Sequence, residues 1–375
     1  MAPIIADRMA QMDSSGIRKV FDLAAKLEKP VNLSIGQPDF DVPDPVKEAA
    51  VEAIRNGKNR YTVTQGIPEL HDALLQHLKR TKGIEPEKIL ITSGVSGALV
   101  LASLTLINAG DEVICPDPYF VMYKHLIHLA QGVPKFVDTY PDFNVTAERI
   151  APLLSDKTKL ILLNSPANPT GKCIPPEEID RIAALARERD LLILSDEIYD
   201  HFVYDGEYHS LAAAYEKTML TGGFSKSHAM TGWRLGYITG PEPIVEKMTM
   251  LQQYSFVCAP SFTQIAGVKA LSVDTSEYVE QYRKKRDRIY QGLTDAGYEV
   301  ARPDGAFYFF PKCPWGASEE FCTEAIRNNL LIIPGNVFSE KSTHFRIAYA
   351  ATDETIDQGI EILARLKQQG APATS

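Results

Sequence analysis

The sequence predicts an α/β fold. A large unit with a mostly parallel sheet covered by helices is joined to a smaller α+β unit. Three observations carry this. Short apolar runs recur through the middle of the chain without polar alternation, as in strands buried on both faces. Helical patterns separate them at strand–helix–strand spacing. The last hundred residues instead combine a long charged helix with short strands.

The elements follow in order. KILIT (88–92) precedes the apolar helical stretch SGALVLASLTLINAG. DEVICPDP (111–118) precedes YFVMYKHLIHLAQG. KLILLNSPANP (159–169) precedes PPEEIDRIAALARERD, where Ile179, Ile182, Ala183 and Ala186 share one helix face and Pro175 and Pro176 mark its start. DLLILSDE (190–197), TMLTGGFSK (218–226) and RLGYITG (234–240) complete the strands. TSEYVEQYRKKRDRIYQGLTDAG then reads as a long helix. GAFYFFPKC, LLIIPG and THFRIAYA read as strands, with a helix at SEEFCTEAIRNN and a closing helix at DETIDQGIEILARLKQQ. The helix SGIRKVFDLAAKL and the stretch VNLSIGQPDF are expected to pack with this C-terminal part. The large unit is thus 46–274, and the small unit 1–45 with 275–375. The tail QGAPATS is expected to be disordered.

Composition narrows the function. The 375 residues are 45% hydrophobic and 23% charged, enough for a large core. The formal charge is −9 and no Lys/Arg-rich run occurs, so no nucleic-acid partner is expected. No apolar run is long enough for a membrane span or a signal peptide. Cys115, Cys173, Cys258, Cys313 and Cys322 are scattered, without metal-ligand spacing. They read as free thiols in a cytoplasmic protein that carries no metal.

Ligands of open α/β sheets bind beyond the carboxyl ends of the strands. Five such ends carry chemistry. SGVSG (93–97) opens a helix after the first strand, offering Gly94, Val95 and Ser96. Phe120 follows the second and Asn168 the third. Asp196 and Tyr199 follow the fourth, and Ser225 and Lys226 the fifth; Arg234 enters the next strand. Singly, each has a plain structural reading as a turn former, a cap, a core aromatic or a solvated cation. Together they place a helix N-terminus, an amide, an acid, a phenol and an amine on one edge.

The motifs NPTG, SDEIY and SKSHAMTGWRLGY, with GQPDF and YT…G upstream and FRIAYA near the C-terminus, resemble the fold-type-I pyridoxal-phosphate aminotransferases of classes I and II, aspartate/aromatic type. The resemblance runs from about Ser15 to the last helix. It implies pyridoxal 5′-phosphate as cofactor, bound as an imine to Lys226, which then serves as the base. It implies Asp196 beside the ring nitrogen, and Tyr199 and Asn168 beside the ring oxygen. Phe120 would stack on the ring. Gly94, Val95, Ser96, Ser225 and Arg234 would hold the phosphate. Arg346 and Gly36, with Asn168, would bind the substrate carboxylate. Tyr61 would reach a neighbouring subunit's phosphate, which makes the protein a homodimer with shared sites. QQYSFVCAPSFTQ (252–264) would line the side-chain pocket.

Two positions depart from the pattern. His71 stands where arginine is frequent, and Gly223 replaces a frequent serine or threonine, removing a phosphate donor. The expected activity is transfer of an amino group from an α-amino acid to a 2-oxo acid such as 2-oxoglutarate. The alternatives are a C–S lyase or synthase on the same fold and an amino-acid-sensing module. A nucleotide-binding protein ranks last, because GxxxxGK[ST] does not occur.

Overall fold

The computed structural model describes residues 4–12 and 27–371. The helix expected over 15–27 falls almost wholly outside them, as do residues 372–375 of the tail.

Twelve strands occur among the described residues. β1 (Val31–Asn32) lies apart from the main sheet. Seven strands form that sheet: β2 (Lys88–Ser93), β3 (Glu112–Asp117), β4 (Val133–Asp138), β5 (Thr158–Asn164), β6 (Leu192–Asp196), β7 (Thr218–Gly223) and β8 (Leu235–Gly240). Their order is β2-β8-β7-β6-β5-β3-β4. β8 runs antiparallel to both neighbours, and the other pairs are parallel. The carboxyl ends of six strands therefore share an edge with the amino end of β8. Across that edge Asn164 is in register with Asp196, Asp196 with Thr221, and Gly223 with Gly236.

The apolar runs are buried on both faces, as expected. In β5, Leu160 and Leu162 join the core beneath helix Gly94–Leu106, while Ile161 and Leu163 join that beneath helix Pro176–Glu188. Each such side chain contributes about 1.5–3 kcal/mol on burial. Pro175 precedes the second helix and Pro176 occupies its first turn, where a missing N–H costs nothing. Ile179, Ile182, Ala183 and Ala186 form its buried face.

β4 was not anticipated. It is an edge strand containing Pro134 and an exposed Val133, so it lacks the apolar run that marks its neighbours.

The C-terminal strands are shorter than their sequence stretches. β9 (Tyr308–Phe309), β10 (Leu330–Leu331), β11 (Ile333–Pro334) and β12 (Phe345–Ala348) follow the long helix Ser276–Asp295. The order β11-β12-β9 is antiparallel, and β1 pairs with β10 in parallel. The pairing of β1 brings residues 33–36 beside β12, where Ala348 N–H donates to Leu33 O at 2.8 Å. Among the described residues no helix is long and apolar enough to cross a membrane.

Candidate active site

Lys226 follows β7. The glycines before it are closely packed. A Cβ on Gly222 would lie 2.4 Å from Tyr237 Oη, and one on Gly223 3.1 Å from Gly236 Cα and Leu235 O. Lys226 Nζ donates to Gly36 O at 2.7 Å. Burial, aided by the charges of Arg346 and Arg234, pushes its pKa down to about 8, against the pull of Asp196. The amine is neutral above that pH and nucleophilic.

Asp196 ends β6 and is buried. It accepts from Tyr123 Oη at 2.7 Å and from the Ile198 N–H at 3.2 Å. Burial raises its pKa to about 6 despite these donors. A cationic ring nitrogen beside it would restore the carboxylate. Tyr199, three residues on in the turn after β6, shares a 2.7 Å hydrogen bond with Tyr308 Oη.

Asn164 and Asn168 link β5 to β12. Asn164 Nδ2 donates to Asp196 O at 2.8 Å, and Asn168 N–H donates to Asn164 Oδ1 at 2.8 Å. Asn168 Oδ1 accepts from Arg346 Nη1 at 3.1 Å. Arg346 Nη2 donates to Ser34 O at 2.7 Å. Its guanidinium lies between the rings of Tyr308 and Phe338, at 4.7 and 4.6 Å. Its buried Nε has no hydrogen-bond partner. Along β12 Phe345 and Ile347 alternate with Arg346 and Ala348, and the arginine face turns into a cavity rather than to solvent: Arg346 is 2% exposed.

At the far end, Arg234 adopts a left-handed backbone, with φ 54°. Its Nη1 donates to Thr231 O at 2.8 Å, and its Nη2 lies 3.5 Å from Ser96 Oγ. Gly94 has φ +66°, and a Cβ there would sit 2.7 Å from Arg234 Nη2. A Cβ on Gly236 would sit 2.8 Å from Val95 N. The helix N-terminus and the guanidinium are thus pressed together, a cradle for an anion.

These groups line one cavity of about 270 Å³. It holds Gly36, Val95, Ser96, Phe120, Asn168, Asp196, Tyr199, Ser225, Lys226, Arg234 and Arg346, all expected from sequence. Gly94, also expected, packs against Arg234 and is not part of the lining. Leu99, Asn164, Ile198, Thr231 and Tyr308 also line it and were not anticipated. Asn164 obeys the strand-end rule and could have been found by it. Tyr308 lies within a run of aromatics, and Tyr123 within a helix; nothing in their local pattern marks them.

Two groups of expected residues lie off this cavity. Tyr61 is 86% exposed and lines a separate cavity with Arg60, Ile265 and Val268. None of Tyr254, Phe256, Cys258 and Ala259 lines the Lys226 cavity. Tyr254 is 85% exposed, because the segment turns outward after helix Glu242–Gln253. His71 Nε2 lies 2.9 Å from Gln65 O, a local contact.

Residues 28–363 match the family model for aminotransferases of class I and II. The chain belongs to this family. It is 38% identical to a probable aspartate aminotransferase of Methanocaldococcus jannaschii, covering 97% of this chain and all of the relative. It is 36% identical to aromatic-amino-acid aminotransferase 2 of Thermococcus litoralis, covering 97% and 98%. Its fold matches that of aspartate aminotransferase from Thermus thermophilus, solved with maleate. The TM-score there is 0.93 and the identity 34%, over 97% and 99% of the two chains. The protein is therefore a fold-type-I aminotransferase that uses pyridoxal 5′-phosphate and acts on amino and 2-oxo acids. The residues present fit the cofactor: an amine, a buried acid, a phenol and an anion cradle face one cavity.

Proposed function

We propose that the aminotransferase moves the amino group of an aspartate- or aromatic-type α-amino acid to a 2-oxo acid such as 2-oxoglutarate, with its cofactor carried on Lys226. The observation that carries this is Lys226, its pKa lowered to about 8, in the same cavity as Asp196 and the buried Arg346. Pyridoxal phosphate supplies an aldehyde for the amine and a ring that accepts electrons from the substrate Cα. The chain supplies the rest. Lys226 moves the Cα proton. Asp196 keeps the ring nitrogen protonated. Tyr199 and Asn168 would donate toward the ring oxygen, and Phe120 would pack on the ring. Gly94, Val95, Ser96, Ser225 and Arg234 would hold the phosphate. Arg346, with Asn168 and Gly36, orients the substrate carboxylate.

Substrate class is supported by the names of the relatives, and by maleate, a dicarboxylate, in the Thermus enzyme. Among the described lining residues the cations are Lys226, Arg234 and Arg346, each already given a role. The remaining wall includes Leu99, Ile198 and Tyr308, which suits an aromatic side chain. The test is a panel of the twenty amino acids, scored by conversion of bound cofactor to its amine form. Stoichiometric conversion by aspartate or aromatic amino acids supports the proposal. Release of pyruvate or ammonia without conversion would make the protein a lyase.

Two substitutions test the assigned roles. Asp196→Asn should raise the barrier by ~3–4 kcal/mol, while cofactor remains bound. Near-normal turnover would make Asp196 merely structural. Arg346→Lys keeps the charge but loses the fork. It should slow reaction with amino acids far more than with amines that lack a carboxylate; equal losses would reject the carboxylate role.

We also propose a cytoplasmic homodimer with shared sites, and a division into 46–274 and 1–45 with 275–375. Tyr61 lies off its own chain's cavity, and Val63, Tyr254 and Val257 are exposed with it. Such a surface favours a partner. The check is mixing Lys226→Ala with Tyr61→Phe subunits. Shared sites leave one intact site per hybrid, so activity should exceed that of either parent. No gain over the parents would place Tyr61 at its own site.

A further inference from the structure

We propose that Tyr308 is a positioning residue: its hydroxyl donates to the Tyr199 oxygen and so commits the Tyr199 hydrogen to the cofactor's ring oxygen. This rests on the reading above, in which the cofactor is carried on Lys226 with its ring oxygen at Tyr199.

The two phenol oxygens are 2.7 Å apart, and both residues are buried. A phenol has one hydrogen to give and lone pairs to receive. With no other acceptor close by, either tyrosine can be the donor of the pair. An acceptor oxygen at Tyr199 breaks that symmetry. Tyr199 can serve it only by turning its hydrogen away from Tyr308, whose own hydrogen then has Tyr199 as acceptor. The chain Tyr308 to Tyr199 to cofactor satisfies each oxygen. Each bond in it polarises the next, so Tyr199 becomes the stronger donor.

Tyr308 is held rigidly for this task. It is anchored in β9, in register with Ala348 of β12. Its ring lies 4.7 Å from the Arg346 guanidinium, whose charge makes the phenol a better donor. Its hydroxyl fills the notch at Gly36, where a Cβ would come within 2.4 Å. One side chain thus touches the group that reads the ring oxygen, the group that reads the substrate carboxylate, and the glycine whose carbonyl receives Lys226.

The test is Tyr308→Phe, which keeps the ring against Arg346 and removes only the hydroxyl. Wild type and variant are loaded with pyridoxal phosphate, without substrate, and the absorbance of the bound cofactor is titrated with pH. A weaker donor at Tyr199 stabilises the ring-oxygen anion less, so the lysine–cofactor link holds its proton to higher pH. The midpoint should rise by ~0.5–1 pH unit. In a Tyr199→Phe background the same substitution should add nothing. An unchanged midpoint in the single variant, or a full further shift in the double, overturns the proposal. A purely packing role would alter stability without this coupling. If Tyr308→Phe does not take up cofactor, 3-fluorotyrosine at position 308, a stronger donor of nearly the same size, should lower the midpoint; no movement there overturns the proposal as well. Failure of the wild type to hold cofactor on Lys226 would instead reject the underlying reading.

Discussion

Lys226→Ala should lower turnover by at least ~10⁴-fold while the apoprotein still binds pyridoxal phosphate. The substitution removes both the covalent anchor and the base, and a positioned base alone contributes about 10²–10⁴-fold. The phosphate cradle at Gly94, Ser96 and Arg234 is untouched, so affinity should fall but persist. Steady-state rates beside equilibrium dialysis of the cofactor check both halves. Turnover within tenfold of wild type would sink the assignment. The lowered pKa gives a second handle. With its value near 8, the amine is mostly protonated at pH 7 and mostly free at pH 9. Capture of the cofactor by the apoenzyme should therefore accelerate across that window.

Lys82→Met should destabilise the fold by about 3–5 kcal/mol, although Lys82 does not touch the cavity. Its ammonium is buried and pairs with Glu197 at 2.9 Å and with Asp200. Glu197 also accepts from Ser195 Oγ at 2.9 Å and Ser210 Oγ at 2.8 Å. These carboxylates lie in the turn that carries Asp196 and Tyr199. Burial alone would raise the Asp200 carboxyl, but the Lys82 charge and the His201 contact overrule it and hold it well below the usual range. Removing the lysine strands two acids inside the protein. The depressed pKa sets the pH dependence: the pair's contribution is present above the unfolded carboxylate value, near 4, and fades as pH falls below it. Urea unfolding at pH 7 should show the full loss, and the gap between variant and wild type should narrow at acid pH. A loss under about 1 kcal/mol at pH 7 would mean that the triad does not hold this turn.

Much of the site was legible because the parallel strands impose a rule. Residues just beyond their carboxyl ends must meet, and Val95, Phe120, Asn168, Asp196 and Lys226 do meet around one cavity. Arg234 required one more fact, the reversed direction of β8, which puts the start of that strand on the same edge. Arg346 was visible through the resemblance of FRIAYA to the family's motif. What stayed hidden depends on contacts distant in sequence. Tyr123 reaches Asp196 from a helix seventy-three positions earlier, and Tyr308 meets Tyr199 across 109 positions. β4 was hidden because an edge strand need not be apolar on both faces. Tyr61 and Tyr254 carry aromatic rings into solvent, and no single-chain pattern distinguishes a surface ring from one meant for a partner.

Borohydride reduction tests the central claim most directly. The purified protein is incubated with pyridoxal phosphate, reduced, digested and mapped by mass. The assignment requires one reduced adduct per chain, on the peptide containing Lys226, lost in Lys226→Ala. An adduct on another lysine, or none at all in a folded protein, would contradict it.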